Sequence, residues 1–295
     1  MRPLETGVSN MAKVLRWTGY VLGVLLLLVL LAAAYIWFAS SRTLNAKAEA
    51  KPEQLIPMEQ ASLEQGQHLL LTHACVECHG DNVQGRKFLE IPNVVTLYAP
   101  NLTWVAKRAS DQQLAQAIRQ GIGHKGEPLL VMPSESYQNL TDAEVSALIK
   151  AIRATPAGGS ATPARTVGPL GRIGVVNGAV KFAPEVIEEY AAAQAADFGP
   201  KFAEGRHIAV TVCSGCHGPT LSGKEPEPGT VAPDLSVTGS YDLPTFTRLM
   251  RTGLPPDGRQ LKMMTGVSQK AFRHFDDAEI AALHAYLVER AQKAR

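Results

Sequence analysis

Residues 75–79 read Cys-Val-Glu-Cys-His, and residues 213–217 read Cys-Ser-Gly-Cys-His. Two thiols three positions apart on one helical turn can each form a thioether with a haem vinyl group, and the next histidine reaches the iron from the same side. The two copies account for all 4 cysteines of the chain. The sequence therefore predicts two covalently bound c-type haems with iron as the metal. The predicted attachment and ligand residues are Cys75, Cys78 and His79 in the first copy, and Cys213, Cys216 and His217 in the second.

A Cys-x-x-Cys pair can also hold structural zinc or act as a redox dithiol. For zinc, the half-sites at positions 75 and 213 are far apart in the chain, and a histidine after both second cysteines would be coincidental. For a dithiol, neither copy is surrounded by the strand-helix-strand pattern of thioredoxin-like proteins. Haem attachment accounts for both copies with no cysteine left over.

The composition and the absence of other motifs reduce the number of possible functions. A chain of 295 residues is long enough for about two domains, and its 45% hydrophobic content allows ordinary cores. The net charge of +2 gives no reason to expect a nucleic-acid partner. A phosphate-binding glycine loop, a metalloprotease helix and a Gly-x-Ser-x-Gly elbow are all absent from the sequence. The chemistry is therefore expected to come from the haems.

The segment 17–39 is almost wholly apolar, and no charged residue stands between Arg16 and Arg42. At about 1.5 Å per residue it can cross a hydrocarbon core of about 30 Å. The sequence predicts a transmembrane anchor over 17–39, preceded by a cytoplasmic segment 1–16. Aromatic residues suited to the two membrane interfaces stand at both ends: Trp17, Tyr20, Tyr35, Trp37 and Phe38.

A cleaved signal peptide is the alternative interpretation of this segment. Small residues at 32–34 and 46–48 offer cleavage positions, although a signal core is usually only about 7–15 residues long. The basic residues give a weak preference for an inside amino terminus. They are Arg2, Lys13 and Arg16 before the apolar segment, and Arg42, Lys47 and Lys51 after it.

The similarity between the two halves extends beyond the cysteines. Residues 66–68 correspond to 205–207 upstream of the motifs, and residues 99–102 correspond to 232–235 downstream. Each copy then closes with a capped amphipathic helix whose apolar residues share one spacing. Those residues are Val145, Leu148, Ile149 and Ile152 in the first copy, and Ile280, Leu283, His284 and Leu287 in the second.

This repeat predicts two small all-helical domains, each built round one haem. We place them at 58–155 and 198–295, separated by a linker over 156–197. The first part of the linker is rich in glycine, proline and alanine, whereas the later part is more apolar and contains a short predicted helix over 185–195. We therefore expect the linker to pack on one or both domains.

The pattern resembles the class I cytochromes c, over roughly residues 60–153 and 198–291. In that family a helix precedes Cys-x-x-Cys-His, a proline-containing loop follows, and a methionine stands shortly before the last helix. The resemblance implies an all-α chain with a transmembrane helix followed by two class I cytochrome c domains. It also implies haem ligation outside the cytoplasmic membrane, so that in a bacterium both haem domains lie in the periplasm, held at the inner membrane by a single pass.

Each haem iron needs a second axial ligand if it is to carry electrons without binding small molecules, and methionine is the family's usual choice. Met132 is the only methionine between Cys75 and the linker, and Pro133 follows it as in the family. In the second copy, alignment on Gly126 and Gly258 places Met264 at the equivalent position, although Thr265 replaces the proline. Met132 and Met264 are therefore the predicted ligands.

Other side chains remain open as ligands or have simpler roles. Met250 and Met263 align with apolar positions of the first copy and suggest packing, while His124 or His274 would give a bis-histidine haem. His68 and His207 occupy equivalent helical positions, which indicates shared surface or packing chemistry, and His73 has no counterpart. His284 lies on the apolar stripe and is expected to bond backbone or water.

The resemblance also implies contacts around the ligands. In the family a proline carbonyl accepts the free ring N–H of the ligating histidine, and Pro100 and Pro233 match that position. An aromatic of the last helix packs on a glycine of the first, as Tyr286 over Gly205 would. Ala151 stands at the equivalent place in the first copy, so that contact is expected to be built differently there.

The expected function is electron transfer and not catalysis. The chain resembles exported diheme cytochromes and the cytochrome subunits of membrane-bound dehydrogenases, although those subunits often carry three haem motifs. We expect electrons to pass on the periplasmic side from a dehydrogenase or quinol-linked donor to a cytochrome or oxidase. A fixed subunit of a dehydrogenase or oxidase complex, and a diheme peroxidase-like enzyme with one open axial position, are the alternatives.

Basic residues over 248–273 could steer an acidic partner or form a solvated face.

Overall fold

A computed structural model describes residues 5–227 and 229–293. It is 57% helix and 7% strand, which confirms the all-α class with a long apolar helix at the amino terminus. The predicted cytoplasmic residue Arg2, and residues 294–295 at the end of the second predicted domain, lie outside the described residues.

Helix α1 spans Glu5–Leu44, and its part Met11–Leu44 is long and apolar enough to cross a membrane. Its side chains are exposed along most of that length, but Ser40 and Leu44 in the last turns are buried. The chain that follows runs along the first repeat, where Ala48 N–H donates to the Gly126 carbonyl over 2.9 Å. The segment after helix α1 is therefore hydrogen-bonded to the first repeat.

The first repeat is organised round helices that bracket the first motif. Its elements are α2 (Leu63–Thr72), α3 (Cys75–His79), β1 (Arg86–Ile91), β2 (Val95–Ala99), α4 (Leu102–Ala106), α5 (Asp111–Arg119), α6 (Ser134–Tyr137) and α7 (Asp142–Ala154). The predicted cap of α7 is confirmed, because Thr141 and Glu144 exchange side-chain and backbone hydrogen bonds. Helices α2 and α7 cross at Gly66, where a Cβ would lie 2.0 Å from the Ala147 carbonyl oxygen.

The second repeat follows the same order. Its elements are a 3₁₀ turn (Pro200–Phe202), α10 (Ala203–Ile208), a π segment (Ala209–Cys213), α11 (Ser214–His217), β4 (Lys224–Glu227), β5 (Thr230–Ala232), a 3₁₀ turn (Leu235–Ser240), α12 (Leu243–Thr252), α13 (Met263–Lys270), a 3₁₀ turn (Phe272–His274) and α14 (Asp277–Lys293). At Gly205 a Cβ would lie 2.0 Å from the Ala282 carbonyl oxygen and 2.8 Å from the Tyr286 Cβ. This confirms the expected glycine–tyrosine contact.

The helix crossing of the first repeat resembles that of the second repeat more closely than we expected. A Cβ on Gly66 would meet the Ala151 Cβ at 2.9 Å, at the place that Tyr286 takes in the other copy. Both crossings therefore use the same close approach of glycine to a carbonyl. They differ in that a methyl group replaces an aromatic ring.

Two small sheets were not predicted. Strands β1 and β2 pair antiparallel, and β3 (Thr166–Val167) from the linker adds to β2. Strands β4 and β5 form the corresponding hairpin of the second repeat. The first hairpin turns at Pro92-Asn93, where Asn93 takes a positive φ of 63° that asparagine tolerates better than most residues.

The linker forms two helices, α8 (Pro169–Val176) and α9 (Ala183–Ala192). Helix α9 corresponds to the predicted helix over 185–195 and begins two residues earlier. Gln138 of the first repeat donates to the Ile187 carbonyl over 3.3 Å, and the buried Tyr190 hydroxyl donates to the Ser214 carbonyl of the second repeat over 3.2 Å. The linker therefore packs on both repeats, as expected.

Candidate functional site

The first motif forms the short helix α3 against the core of the first repeat. Cys75 and Met132 both pack on that core. The His79 ring is buried, and its Nδ1–H donates to the Pro100 carbonyl over 2.8 Å. Because a carbonyl can only accept, this hydrogen bond places the proton on Nδ1 and leaves the Nε2 lone pair available to a metal.

The second motif repeats this arrangement. Cys213 and Met264 both pack on the core of the second repeat. The His217 Nδ1–H donates to the Pro233 carbonyl, again over 2.8 Å. The hydrogen bonds predicted for Pro100 and Pro233 are thus confirmed, and each imidazole has the tautomer that ligation of an iron through Nε2 requires.

Electrostatics favour the neutral imidazole that a metal requires. Burial lowers the pKa of His79, with the hydrogen bond to Pro100 acting in the opposite direction. Burial likewise lowers the pKa of His217, opposed by its bond to Pro233 and by nearby Asp234. Both rings therefore remain deprotonated at Nε2 to lower pH than an exposed histidine would.

The loop after each motif holds the histidine by a shared backbone geometry. Gly85 N–H donates to the His79 carbonyl over 2.7 Å, and Gly223 N–H donates to the His217 carbonyl over 2.9 Å. Both glycines take a positive φ, and a Cβ on Gly85 would lie 2.6 Å from the Asn101 nitrogen. Side chains other than glycine would disturb the loop that carries the proline carbonyl.

The cysteines do not have the properties of a redox dithiol. Burial, and then the neighbouring Cys78, raise the pKa of Cys75 to about 12. Burial, and then Cys216, raise the pKa of Cys213 to about 12 as well. Reactive dithiols need the opposite shift, because the thiolate is the nucleophile. Among the residues that the structure describes, no group of three His, Cys, Asp or Glu side chains is arranged to hold a metal ion.

The other candidate ligands occupy varied positions, whereas Met132 and Met264 each pack on a core. Met250 is buried in the second core, which confirms the packing expected there, but Met263 is 40% exposed, so the packing expected for it was wrong. His274 is exposed and His124 is half-buried. Met132 and Met264 remain the predicted ligands. The expectation for His284 is confirmed, since its Nε2 lies 2.8 Å from the Tyr241 carbonyl.

The two repeats meet through a reciprocal pair of contacts that the sequence did not reveal. His207 Nε2 lies 2.8 Å from the Glu144 carboxylate, and His68 Nε2 lies 2.8 Å from the Glu279 carboxylate. His68 and His207 are equivalent in the repeat, as are Glu144 and Glu279. The domains are therefore related by an approximate two-fold arrangement across this boundary.

The same arrangement brings each motif against the other repeat. Ser136 in α6, shortly after Met132, shares a 2.9 Å hydroxyl–hydroxyl hydrogen bond with Ser214 inside the second motif. Lys270, at the end of the helix that carries Met264, forms a 2.9 Å ion pair with Glu77 inside the first motif. Both attachment motifs thus lie at the boundary between the repeats.

The residue inserted before the first motif lies at this boundary. Between Gly66 and Cys75 the first repeat is one residue longer than the second, and Ala74 takes a positive φ of 57°. Ala74 packs on the core of the second repeat, and His73 is buried. The Tyr137 hydroxyl donates to the His73 carbonyl over 2.5 Å. The inserted residue thus separates helix α2 from helix α3, and Ala74 packs between the two repeats.

The basic stretch over 248–273 is partly neutralised within the chain. Lys270 pairs with Glu77, Arg251 pairs with Asp277 over 2.9 Å, and Arg259 pairs with Asp257 over 3.3 Å. Within the described parts of the chain, Arg248, Lys262 and Arg273 make no ion pair. The stretch therefore offers less free positive charge than the sequence suggested.

Both repeats match models of cytochrome families. Residues 61–150 match the family described as cytochrome c oxidase, cbb3-type, subunit III, and residues 202–291 match the family described as cytochrome c. No curated protein sequence matches the chain. With a Cys-x-x-Cys-His motif, a proline-bound histidine and a core methionine in each matched segment, the chain is a c-type cytochrome with two cytochrome c domains.

Proposed function

We propose that this chain is a membrane-anchored diheme cytochrome c that transfers electrons on the periplasmic side of the inner membrane. Its donor would be a dehydrogenase or a quinol-linked protein, and its acceptor a downstream cytochrome or oxidase. The observation that carries the proposal is the paired constellation in which His79 and His217 each keep Nε2 free through a bond to a proline carbonyl. When bound, haem supplies a reversible one-electron couple at its iron.

The residues of each repeat perform separate tasks in this proposal. The cysteines would hold the porphyrin covalently, the histidine would ligate one face of the iron, and Met132 or Met264 would close the other face. A thioether opposite imidazole raises the reduction potential and leaves no position for a substrate. The apolar cores on which these methionines pack would exclude water from the metal.

The membrane anchor is supported by α1 itself. It is one continuous helix, and its last turns are part of the folded protein, since Leu44 is buried with Val175 and Phe182. Cleavage at 46–48 would remove Leu44 from that cluster, which favours retention of the helix over cleavage there. Alkaline extraction of membranes tests retention, and protease accessibility in spheroplasts tests the periplasmic position of the domains.

Ligand binding distinguishes the carrier from a peroxidase-like enzyme. We expect a methionine-to-iron absorption band from both haems in the oxidised protein, and no reaction with carbon monoxide or peroxide. A haem that binds carbon monoxide in the native protein would instead reveal an open axial position. That result would favour the peroxidase-like enzyme over the electron carrier.

A fixed subunit of a respiratory complex is the second candidate. It is favoured by the match of the first repeat to a family described as an oxidase subunit. Purification from membranes in mild detergent would then recover stoichiometric partner subunits. Recovery of the cytochrome by itself, with electron transfer to a soluble acceptor intact, would favour the free-standing carrier.

Electrostatic steering of the partner rests on the unpaired basic residues Arg248, Lys262 and Arg273. Charges on a rim act mainly on the association rate, and salt screens them. The rate of reduction by a candidate donor should therefore fall with ionic strength. A rate that does not change with salt would remove steering from the proposal.

A further inference from the structure

We propose that the linker helix α8 lies in the membrane interface and contacts lipid through Leu170 and Ile173. The inference rests on the proposed anchoring by α1 and goes beyond it, because it gives the haem domains a second membrane contact. With two contacts, the domains would be held in one orientation and not tethered loosely.

The aromatic residues of α1 fix the level of the membrane. Trp17 and Trp37 are 20 residues apart, so at about 1.5 Å per residue they are separated by about 30 Å along the helix. That distance equals the thickness of a hydrocarbon core, and tryptophan prefers its two edges. Both side chains are exposed. Trp37 therefore marks the outer interface.

Arg172 holds α8 at this level. Its guanidinium carbon lies 3.8 Å from the centroid of the Trp37 ring, and its Nη1 donates to the hydroxyls of Ser40 and Ser41 over 2.8 and 3.0 Å. The inner face of α8 is buried at Gly171 and Val175. The helix is thus fixed beside the last turns of α1.

The outer face of α8 is apolar and uncovered. Leu170 is 57% exposed and Ile173 is 43% exposed, and residues three positions apart lie on the same side of a helix. The tip of the β1–β2 hairpin extends this face, because Leu170 N–H donates to the Asn93 carbonyl over 3.0 Å and Ile91 nearby is 43% exposed.

The boundary between headgroups and acyl chains is the partner that fits this surface. An interfacial helix buries its apolar face there, with arginine and lysine towards the lipid phosphates. The exposed Arg42 on α1 supplies such a charge at the same level. The continuity of the surface with the proposed transmembrane helix identifies lipid, and not a soluble protein, as the occupant.

Photocrosslinking tests the contact on the full-length holoprotein. The wild type is reconstituted into vesicles of phosphatidylcholine and phosphatidylglycerol that contain a lipid with a diazirine near the glycerol end of its acyl chain. We expect lipid adducts on α1 and on residues 169–176, but not on residues 224–232 of the second repeat. The double variant Leu170→Asp/Ile173→Asp should lose the α8 adducts and keep those on α1. Leu243→Asp, at another exposed apolar position, should change neither.

The outcomes separate the two proposals. Adducts on α1 without adducts on α8 would overturn the interfacial role of α8 and leave the anchor intact. The absence of adducts on α1 would contradict the anchor on which this inference rests. Equal labelling of residues 224–232 would also overturn the interfacial role of α8, because the labelling would then not report a defined surface. An unchanged haem absorption spectrum in each variant shows that the domains are folded.

Discussion

The Glu144 carboxylate, which caps helix α7 of the first repeat, also accepts a 2.8 Å hydrogen bond from His207 of the second repeat. Glu279 caps α14 by accepting from the Asp276 N–H, and it accepts from His68 in the same way. Each glutamate thus caps its own helix and also binds a histidine of the other domain. The contact is charge-assisted while the glutamate is ionised, and such hydrogen bonds are stronger than neutral ones.

This double role predicts an acid-sensitive boundary. Burial raises the pKa of Glu144, but hydrogen bonds from His207 and Thr141 outweigh it and lower the pKa to about 2, from an ordinary value of 4.5. A depressed folded-state pKa stabilises the protein above the unfolded-state pKa, and that stabilisation is lost as the pH falls from about 4.5 towards about 2. The unfolding free energy of wild type should therefore decrease more between about pH 5 and pH 2 than that of Glu144→Gln.

Denaturant titrations across this pH range provide the measurement. Glu64→Gln is the matched control, because Glu64 is an exposed acid in the first turn of α2. The control should keep the pH dependence of wild type. Parallel curves for wild type and Glu144→Gln would show that the boundary contact does not depend on the charge of Glu144.

The helix crossings predict a severe effect of a single methyl group. In Gly66→Ala the new Cβ would lie 2.0 Å from a carbonyl oxygen of α7, so the helices must separate. We expect a loss of about 1–3 kcal/mol in unfolding free energy, as for overpacked cores. Gly266→Ala is the control, since its Cβ would meet nothing within 4 Å in α13. It should be neutral or stabilise by about 0.5–1 kcal/mol. Equal stability of the two variants would argue against the close crossing.

Adjacent methionines offer a sharp test of the axial ligands. Met264→Leu should lower one of the two reduction potentials and remove about half of the methionine-to-iron band, because leucine cannot ligate iron. Met263→Leu should change neither, since Met263 is exposed. Potentiometric titration with absorption spectra measures both quantities. An unchanged spectrum for Met264→Leu would make the ligand assignment wrong.

The motif chemistry could be predicted from the sequence because it is local. Cys-x-x-Cys-His places its thiols and imidazole by helical spacing alone, and the resemblance to the class I cytochromes c identified Pro100 and Pro233 as hydrogen-bond acceptors. The caps of α7 and α14 follow the same logic, because residues three apart satisfy each other within one turn.

The boundary between the domains could not be predicted in this way. Glu144 and His207 are brought together by the packing of two domains, and nothing in their local sequence indicates a partner. The hairpin β1–β2 was missed because five- and six-residue strands leave little periodic signal. Helix α8 was missed because Gly168, Pro169 and Gly171 suggested a loop, whereas Pro169 begins the helix and Gly171 lets it approach the Val94 carbonyl.

The intact mass of the mature protein tests the central claim most directly. Under denaturing conditions wild type should carry the mass of two porphyrins, since thioether bonds survive unfolding, and Cys75→Ala/Cys78→Ala should carry one. A wild-type polypeptide with no porphyrin, or with only one, would contradict a haem in each repeat.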